Sequence, residues 1–182
     1  KHRAEPAAAA SATAATAEAI ESRYELLEEL GRGAMGVVYK ARDKRLGRIV
    51  ALKRLTDSLR GHPTAIAYFE REARSAAALN HPNIVVVYDA GQENGQYFIT
   101  MEHLEGTTLE QIVSKRGPTS AAVVASLGLQ ICAGLHYAHA NKIIHRDIKT
   151  ANLFYTRERV VKIMDFGLAK MIEEVRKGET MI

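Results

Sequence analysis

His145-Arg146-Asp147-Ile148-Lys149-Thr150-Ala151-Asn152, followed thirteen residues after Asn152 by Asp165-Phe166-Gly167, is the stretch on which the reading of this chain turns. Asp147 is a carboxylate that can accept a proton, and Lys149 is a cation suited to an anionic group. Asn152 and Asp165 offer oxygens of the kind a hard divalent cation prefers. These residues fall in loops between short apolar pieces, so a scaffold must hold them from both sides.

The segment just upstream reads as helical. Thr107 or Thr108 caps a short helix through Val113, which Gly117-Pro118 ends, and Thr119 or Ser120 caps a longer one running to about Ala140. Further upstream the period changes. Tyr24–Leu30, Val37–Arg42, Arg48–Leu55, Ile84–Tyr88 and Gln96–Glu102 read as strands, with turns at Gly31–Gly36 and Gly91–Gly95. Between the third and fourth, Ile66, Phe69, Ala73, Ala76 and Leu79 carry helical spacing over Thr64–Leu79, ended by His81-Pro82-Asn83. The expectation is a five-stranded sheet with one helix, then a mainly helical part.

Two features of the strand-rich part carry chemistry. Gly31-Arg32-Gly33-Ala34-Met35-Gly36-Val37-Val38 lets backbone approach phosphate oxygens closely, or is simply a glycine-rich turn. In dinucleotide-binding folds the last such glycine opens a helix, whereas Val37-Val38-Tyr39 continues as a strand. Lys53 ends the apolar run Val50-Ala51-Leu52 and must either reach solvent or find an opposite charge. Glu72 shares a helix face with Phe69, Ala76 and Leu79 and points inward, while Glu70 lies on another face. At about 4 Å and an effective dielectric near 20, a Lys53–Glu72 pair attracts by roughly 4 kcal/mol before desolvation.

The 182 residues suffice for one large domain or two small lobes around a cleft, with a core that requires no staple. Cys132 is the single cysteine, which excludes an internal disulfide and fits a reducing, cytoplasmic setting. A net charge of +4 without basic runs or aromatic platforms argues against a nucleic-acid partner. No secretory signal is visible, and Ala121–Leu135, interrupted by Ser126, Gly128 and Gln130, reads as a buried helix too short for a membrane span. Residues 1–22, dominated by alanine, lack an apolar stripe and read as a linker or frayed helix. Cys132, His136 and His139 share one helix face but have no fourth ligand, so they read as core or interface residues. The chain does not begin with Met, and it reads as a piece of a longer protein.

Glycine loop, strand lysine, helix glutamate, His-Arg-Asp loop and Asp-Phe-Gly occur here in order, and the set resembles the catalytic domain of a Ser/Thr-type protein kinase over about residues 24–182. Gly33-Ala34-Met35-Gly36-Val37-Val38-Tyr39-Lys40-Ala41-Arg42-Asp43 and Leu79-Asn80-His81-Pro82-Asn83-Ile84-Val85 are similar to bacterial members. The resemblance implies an α+β, bilobal protein-kinase-like fold with a five-stranded antiparallel small lobe and one helix. Residues 23–102 would form the small lobe, and 103–182 the hinge and an incomplete large lobe ending in the activation loop.

It implies Mg-ATP-dependent transfer of the γ-phosphoryl group to Ser or Thr hydroxyls of a protein substrate, with ATP and Mg²⁺ as cofactors. Asp147 would orient or accept the hydroxyl proton, and Lys149 would neutralise charge on the γ-phosphate. Lys53, held by Glu72, would meet the α- and β-phosphates, and Asn152 and Asp165 would ligate Mg²⁺. Gly31, Gly33 and Gly36 would cover the phosphates. The adenine would lie between Leu30, Val38 and Ala51 above and Phe154 below, with Met101 behind and backbone groups of Glu102 and Leu104 at its edge. His145 would pack beneath Phe166. Arg146 would pair with phosphorylated Thr180 as a regulatory contact. Thr150 stands where the family commonly has proline, and the Asp147-Ile148-Lys149 phrase resembles Ser/Thr rather than tyrosine kinases.

The Ala-Pro-Glu motif and later helices of the family are not in this sequence, so strong catalysis is expected of the parent and not of these residues alone. The competing readings are a non-catalytic, nucleotide-binding, pseudokinase-like scaffold and a small-molecule kinase of related fold.

Overall fold

The structure, a computed structural model, describes residues 23–33 and 36–166. The alanine-rich residues 1–22 and Thr180 lie outside the described residues.

Five strands, β1 (Tyr24–Arg32), β2 (Gly36–Asp43), β3 (Arg48–Leu55), β4 (Val87–Glu93) and β5 (Gln96–Glu102), form an antiparallel sheet in the order β1-β2-β3-β5-β4. Alternation along β3 divides its side chains between two faces. Val50 and Leu52 join Tyr24 and Ala41 on one face. Ala51 and Lys53 point to the other, where Val38 stands opposite Lys53 and Met101 opposite Ala51. The β2–β3 turn is tied by Asp43, whose Oδ1 accepts the Arg45 and Leu46 N–H groups at 3.0 and 3.2 Å. Arg23 pairs with the Asp43 carboxylate at 2.8 Å and holds it below the usual carboxylate range.

Helix α1 (Pro63–Ala77) opens on a proline, which has no N–H to leave unsatisfied in the first turn. Ala65, Phe69, Glu72, Ala73 and Ala76 form its buried stripe. Phe69 and Ala73 meet Leu55 and Ile99 in one core cluster.

The fourth strand differs from the expectation of Ile84–Tyr88. Ile84 and Val85 are buried, but Ile84 joins a second cluster with Leu79, Leu109, Ala138, Leu153, Val161, Ile163 and Phe166. Its backbone forms a parallel bridge to Ile163, and the antiparallel pairing with β5 begins only at Val87. The turn accordingly tightens to Asn94-Gly95, both at positive φ.

The second part holds β6 (Gly106–Thr108), α2 (Leu109–Arg116), α3 (Ala121–Ala140), β7 (Leu153–Thr156) and β8 (Val161–Ile163), with a sheet in the order β6-β7-β8. Thr108 and Gln111 form a reciprocal capping box at α2, and Ser120 caps α3. Helix α3 is buried on one side only. Gly134 and Ala138 face the core, while Val123, Val124 and Leu129 are exposed. It runs through Ala140 as expected, but it is mostly exposed where a buried helix was expected, and by length and composition it could cross a membrane, a test that soluble helices pass too.

Candidate active site

Lys53 is the centre of the site. It is 5 % exposed, and its Nζ lies 2.7 Å from Asp165 Oδ1 and 3.4 Å from Glu72 Oε1. Strand β3 points the lysine to the face on which α1 lies, and the inward stripe of α1 brings Glu72 to meet it. Burial acts against the ammonium, but the Asp165 and Glu72 charges prevail and hold Lys53 above the ordinary lysine range. Burial pushes the Glu72 carboxyl up to about 7, with Lys53 pulling it down and Asp165 pushing it further up. Glu72 Oε2 is buried without a hydrogen-bond partner among the described residues.

The His145–Asn152 segment folds around Asp147. Asp147 Oδ2 takes Lys149 Nζ at 2.8 Å and Asn152 Nδ2 at 3.0 Å, and the same amide donates to the Asp147 carbonyl at 2.8 Å. His145 is 1 % exposed, with its ring 4.6 Å from that of Phe166. Its Nδ1 accepts the Asp147 N–H at 3.2 Å, so Nε2 carries the proton donated to the Met164 carbonyl at 2.7 Å. Burial holds this imidazole below its ordinary pKa, and both nitrogens are satisfied by the neutral ring. His145 thus supports the backbone on either side of the site.

Asn152 and Asp165 are brought together by backbone. The Met164 N–H donates to the Asn152 carbonyl at 2.9 Å, which places the two oxygen-bearing side chains on neighbouring segments. Arg146 and Asp165 both have positive φ, 66° and 58°, a conformation that costs energy and gathers at functional sites. Two protein oxygens fit Mg²⁺, which keeps waters and takes substrate phosphates in place of a full protein cage. No group of three or more His, Cys, Asp or Glu with metal-binding spacing occurs among the described residues.

The remaining expected residues line the same region. Val38, Ala51, Lys53 and Met101 share one sheet face, and Leu30 falls in the β1 bulge between Glu29 and Gly31. Phe154 lies on β7 opposite Lys162. Gly31 and Gly33 flank the loop whose residues 34–35 lie outside the described set. Gly36 has a structural need of its own, since a Cβ there would stand 2.4 Å from the Arg54 carbonyl oxygen. Sequence reading missed Lys162 and Asn83. Lys162 sits in a three-residue strand whose alternation points it toward solvent, and Asn83 lay within what read as a breaker.

Comparison with known proteins places the chain in a family. The family model described as protein kinase domain matches residues 24–182. The serine/threonine-protein kinase PknB of Mycolicibacterium smegmatis is 42 % identical over 169 residues, which cover 91 % of this chain and 27 % of the relative. A probable serine/threonine-protein kinase of Streptomyces coelicolor is 44 % identical over 163 residues, 87 % of this chain and 24 % of its own length. The crystal structure of a mutant PknI kinase domain of Mycobacterium tuberculosis superposes with a TM-score of 0.70 at 32 % identity, covering 81 % of this chain and 60 % of that one. The chain therefore spans about a quarter of the length of the curated relatives it matches.

Proposed function

This chain belongs to the protein kinase domain family, and on that premise we propose that it carries the ATP site and catalytic loop of a Mg-ATP-dependent protein serine/threonine kinase. The observation that carries the reading is the buried Lys53 bracketed by Glu72 and Asp165. A lysine so placed is positioned without freedom to wander and directs its charge toward bound phosphates. Residues 23–102 form the small lobe in this reading, and 103–182 the hinge and the start of the large lobe. The setting is cytoplasmic and the second substrate is a protein.

Adenine occupies the slot bounded by Leu30, Val38, Ala51, Met101 and Phe154, with backbone groups of Glu102 and Leu104 at its edge. Gly31, Gly33 and Gly36 cover the phosphates. Asp147, held by Asn152 and Lys149, orients the acceptor hydroxyl and takes its proton as the oxygen bonds to the γ-phosphorus and ADP leaves. Lys149 offsets charge on the transferring group. Asn152 and Asp165 hold Mg²⁺, which neutralises phosphate charge when bound. Arg146 pairs with phosphorylated Thr180; Arg146 lines a cavity of about 110 Å³ together with Arg71, Lys142 and Glu72, where three cations face one carboxylate.

The test is phosphoryl transfer from labelled ATP to a Ser/Thr substrate by the full-length protein and its Asp147→Asn variant. Transfer abolished in a variant that still folds and binds ATP supports the kinase reading. No transfer from the parent itself favours the scaffold, and undiminished transfer by the variant would remove Asp147 from the catalytic role. Activity undiminished in a phosphorylation-proficient Thr180→Ala protein would remove the regulatory assignment alone.

A further inference from the structure

Lys162 occupies the middle of β8 between the fully buried Val161 and Ile163, a position from which an unpaired lysine would extend to water. It turns inward instead. Its Nζ lies 2.7 Å from Glu102 Oε1 and 3.5 Å from the Ile84 carbonyl oxygen, and the two side chains are only 14 % and 20 % exposed. The same Glu102 oxygen accepts the Val86 N–H at 2.8 Å, while the Glu102 N–H donates to the Val86 carbonyl at 2.9 Å. One carboxylate oxygen thereby joins the end of β5, the run leading into β4, and β8.

The position of the pair relative to the adenine slot gives it a role. Lys162 stands directly opposite Phe154 in the β7–β8 pairing, and directly opposed residues share a sheet face. Phe154 is the floor of the slot in the reading above, and Glu102 begins the connector that meets the adenine edge. We infer that Lys162 is a positioning residue for the nucleotide, fixing through Glu102 the separation between that connector and the β7–β8 floor. The inference rests on the nucleotide-binding reading. Burying two ions costs desolvation that their attraction only offsets when geometry is good, so fixing position is the larger consequence of the pair.

Adenosine, which has the ring and no phosphate, is the probe, with Mg-ATP measured beside it. Lys162→Met, Glu102→Gln, the double variant and Lys162→Arg are made in the full-length protein and each is checked for cooperative unfolding. Either single charge removal is expected to weaken adenosine about ten-fold, about 1.4 kcal/mol. The double variant should be no weaker than the weaker single, and Lys162→Arg should recover most of the affinity. In Lys162→Met the KM for ATP should rise by a similar factor while kcat at saturating ATP stays within about two-fold, a split that general loosening would not produce. Glu102→Gln preserves size and the Val86 contact, so it decides the matter should Lys162→Met fail to fold. Unchanged or tighter adenosine binding in a folded single variant, or independent losses that add in the double, overturns the inference and leaves the nucleotide site standing. A parent protein that binds neither adenosine nor Mg-ATP overturns the nucleotide reading and this inference with it.

Discussion

One ammonium, that of Lys53, faces the carboxylates of Glu72 and Asp165, so the cluster carries more negative than positive charge when both acids are ionised. Burial, opposed by the Lys53 charge and reinforced by that of Asp165, pushes the Glu72 carboxyl up to about 7, and its Oε2 has no hydrogen-bond partner among the described residues. The consequence for stability has a definite sign. The folded pKa is raised above the unfolded value of 4.5, so the stabilisation is fully present below pH 4.5 and is lost as pH rises toward 7. The slope is at most about 1.4 kcal/mol per pH unit in that window. Glu72→Gln should flatten it, read as the difference between variant and wild-type unfolding midpoints from pH 4.5 to 7.5; parallel curves would refute the assignment. Lys53→Met should lower kcat/KM for phosphoryl transfer by about 10²–10³-fold, the usual cost of removing a preorganised charge from such a site. This inward pairing was legible in the sequence, because an apolar strand ending in lysine and a helix with an inward glutamate leave few other partners. The third member was not legible as a contact, since Asp165 is 112 residues from Lys53 and no local pattern links them.

At the scale of elements, the run Ile84-Val85-Val86 shows where pattern reading stops. Three consecutive apolar residues have no period, and they fit an edge strand or a buried connector equally well. What decides is the second core. Ile163 N–H donates to the Asn83 carbonyl at 2.9 Å, and Val85 N–H to the Ile163 carbonyl at 3.0 Å, so the run is held by β8 before β4 begins. The Asn83 side chain adds bonds to the Val161 carbonyl at 3.0 Å and to Gln130 Oε1 at 3.2 Å, which reach α3. Asn83→Ala should therefore cost about 1–3 kcal/mol, chiefly by leaving the buried Val161 carbonyl short of a donor, since Gln130 Oε1 keeps the Val161 N–H at 2.9 Å. Gly134 makes the same junction from the other side. A Cβ there would stand 2.9 Å from Ile163 Cδ1 and 3.1 Å from the Asn83 carbonyl oxygen. Gly134→Val should overpack it and lower stability by about 1–3 kcal/mol, measured by denaturant titration. Wild-type stability in both variants would show that this loop is not the joint between the two clusters. The strand-rich part was legible because short apolar runs rich in β-branched or aromatic residues and bounded by turn residues mark β2, β3 and β5, whereas β6 has only three residues and no period to read.

Across the whole molecule, the site belongs to neither half alone. Lys53 and Glu72 come from β3 and α1, while Asp147, Asn152 and Asp165 come from segments packed around β7 and β8. The Lys53–Asp165 contact at 2.7 Å joins the two sets directly. A ligand that engages both sets binds only when both are folded, so its binding free energy adds to the stability of the assembly. Mg-ATP at about a hundred times its Kd should contribute about 2.7 kcal/mol. For a chain of this length that corresponds to a rise of about 5–10 °C in the unfolding midpoint. Asp165 supplies one of the two oxygens assigned to the metal, so Asp165→Ala should remove the Mg²⁺-dependent part of the rise and leave a smaller response to ATP alone. The measurement is a thermal melt with ATP, with and without Mg²⁺, for both proteins. A Mg²⁺-dependent shift of equal size in the variant would take Asp165 out of the metal site, and no shift in either protein would remove the ATP site itself. A Mg²⁺-dependent shift confined to the wild type, within one cooperative transition, would support strand lysine, helix glutamate and loop carboxylates acting as one nucleotide site.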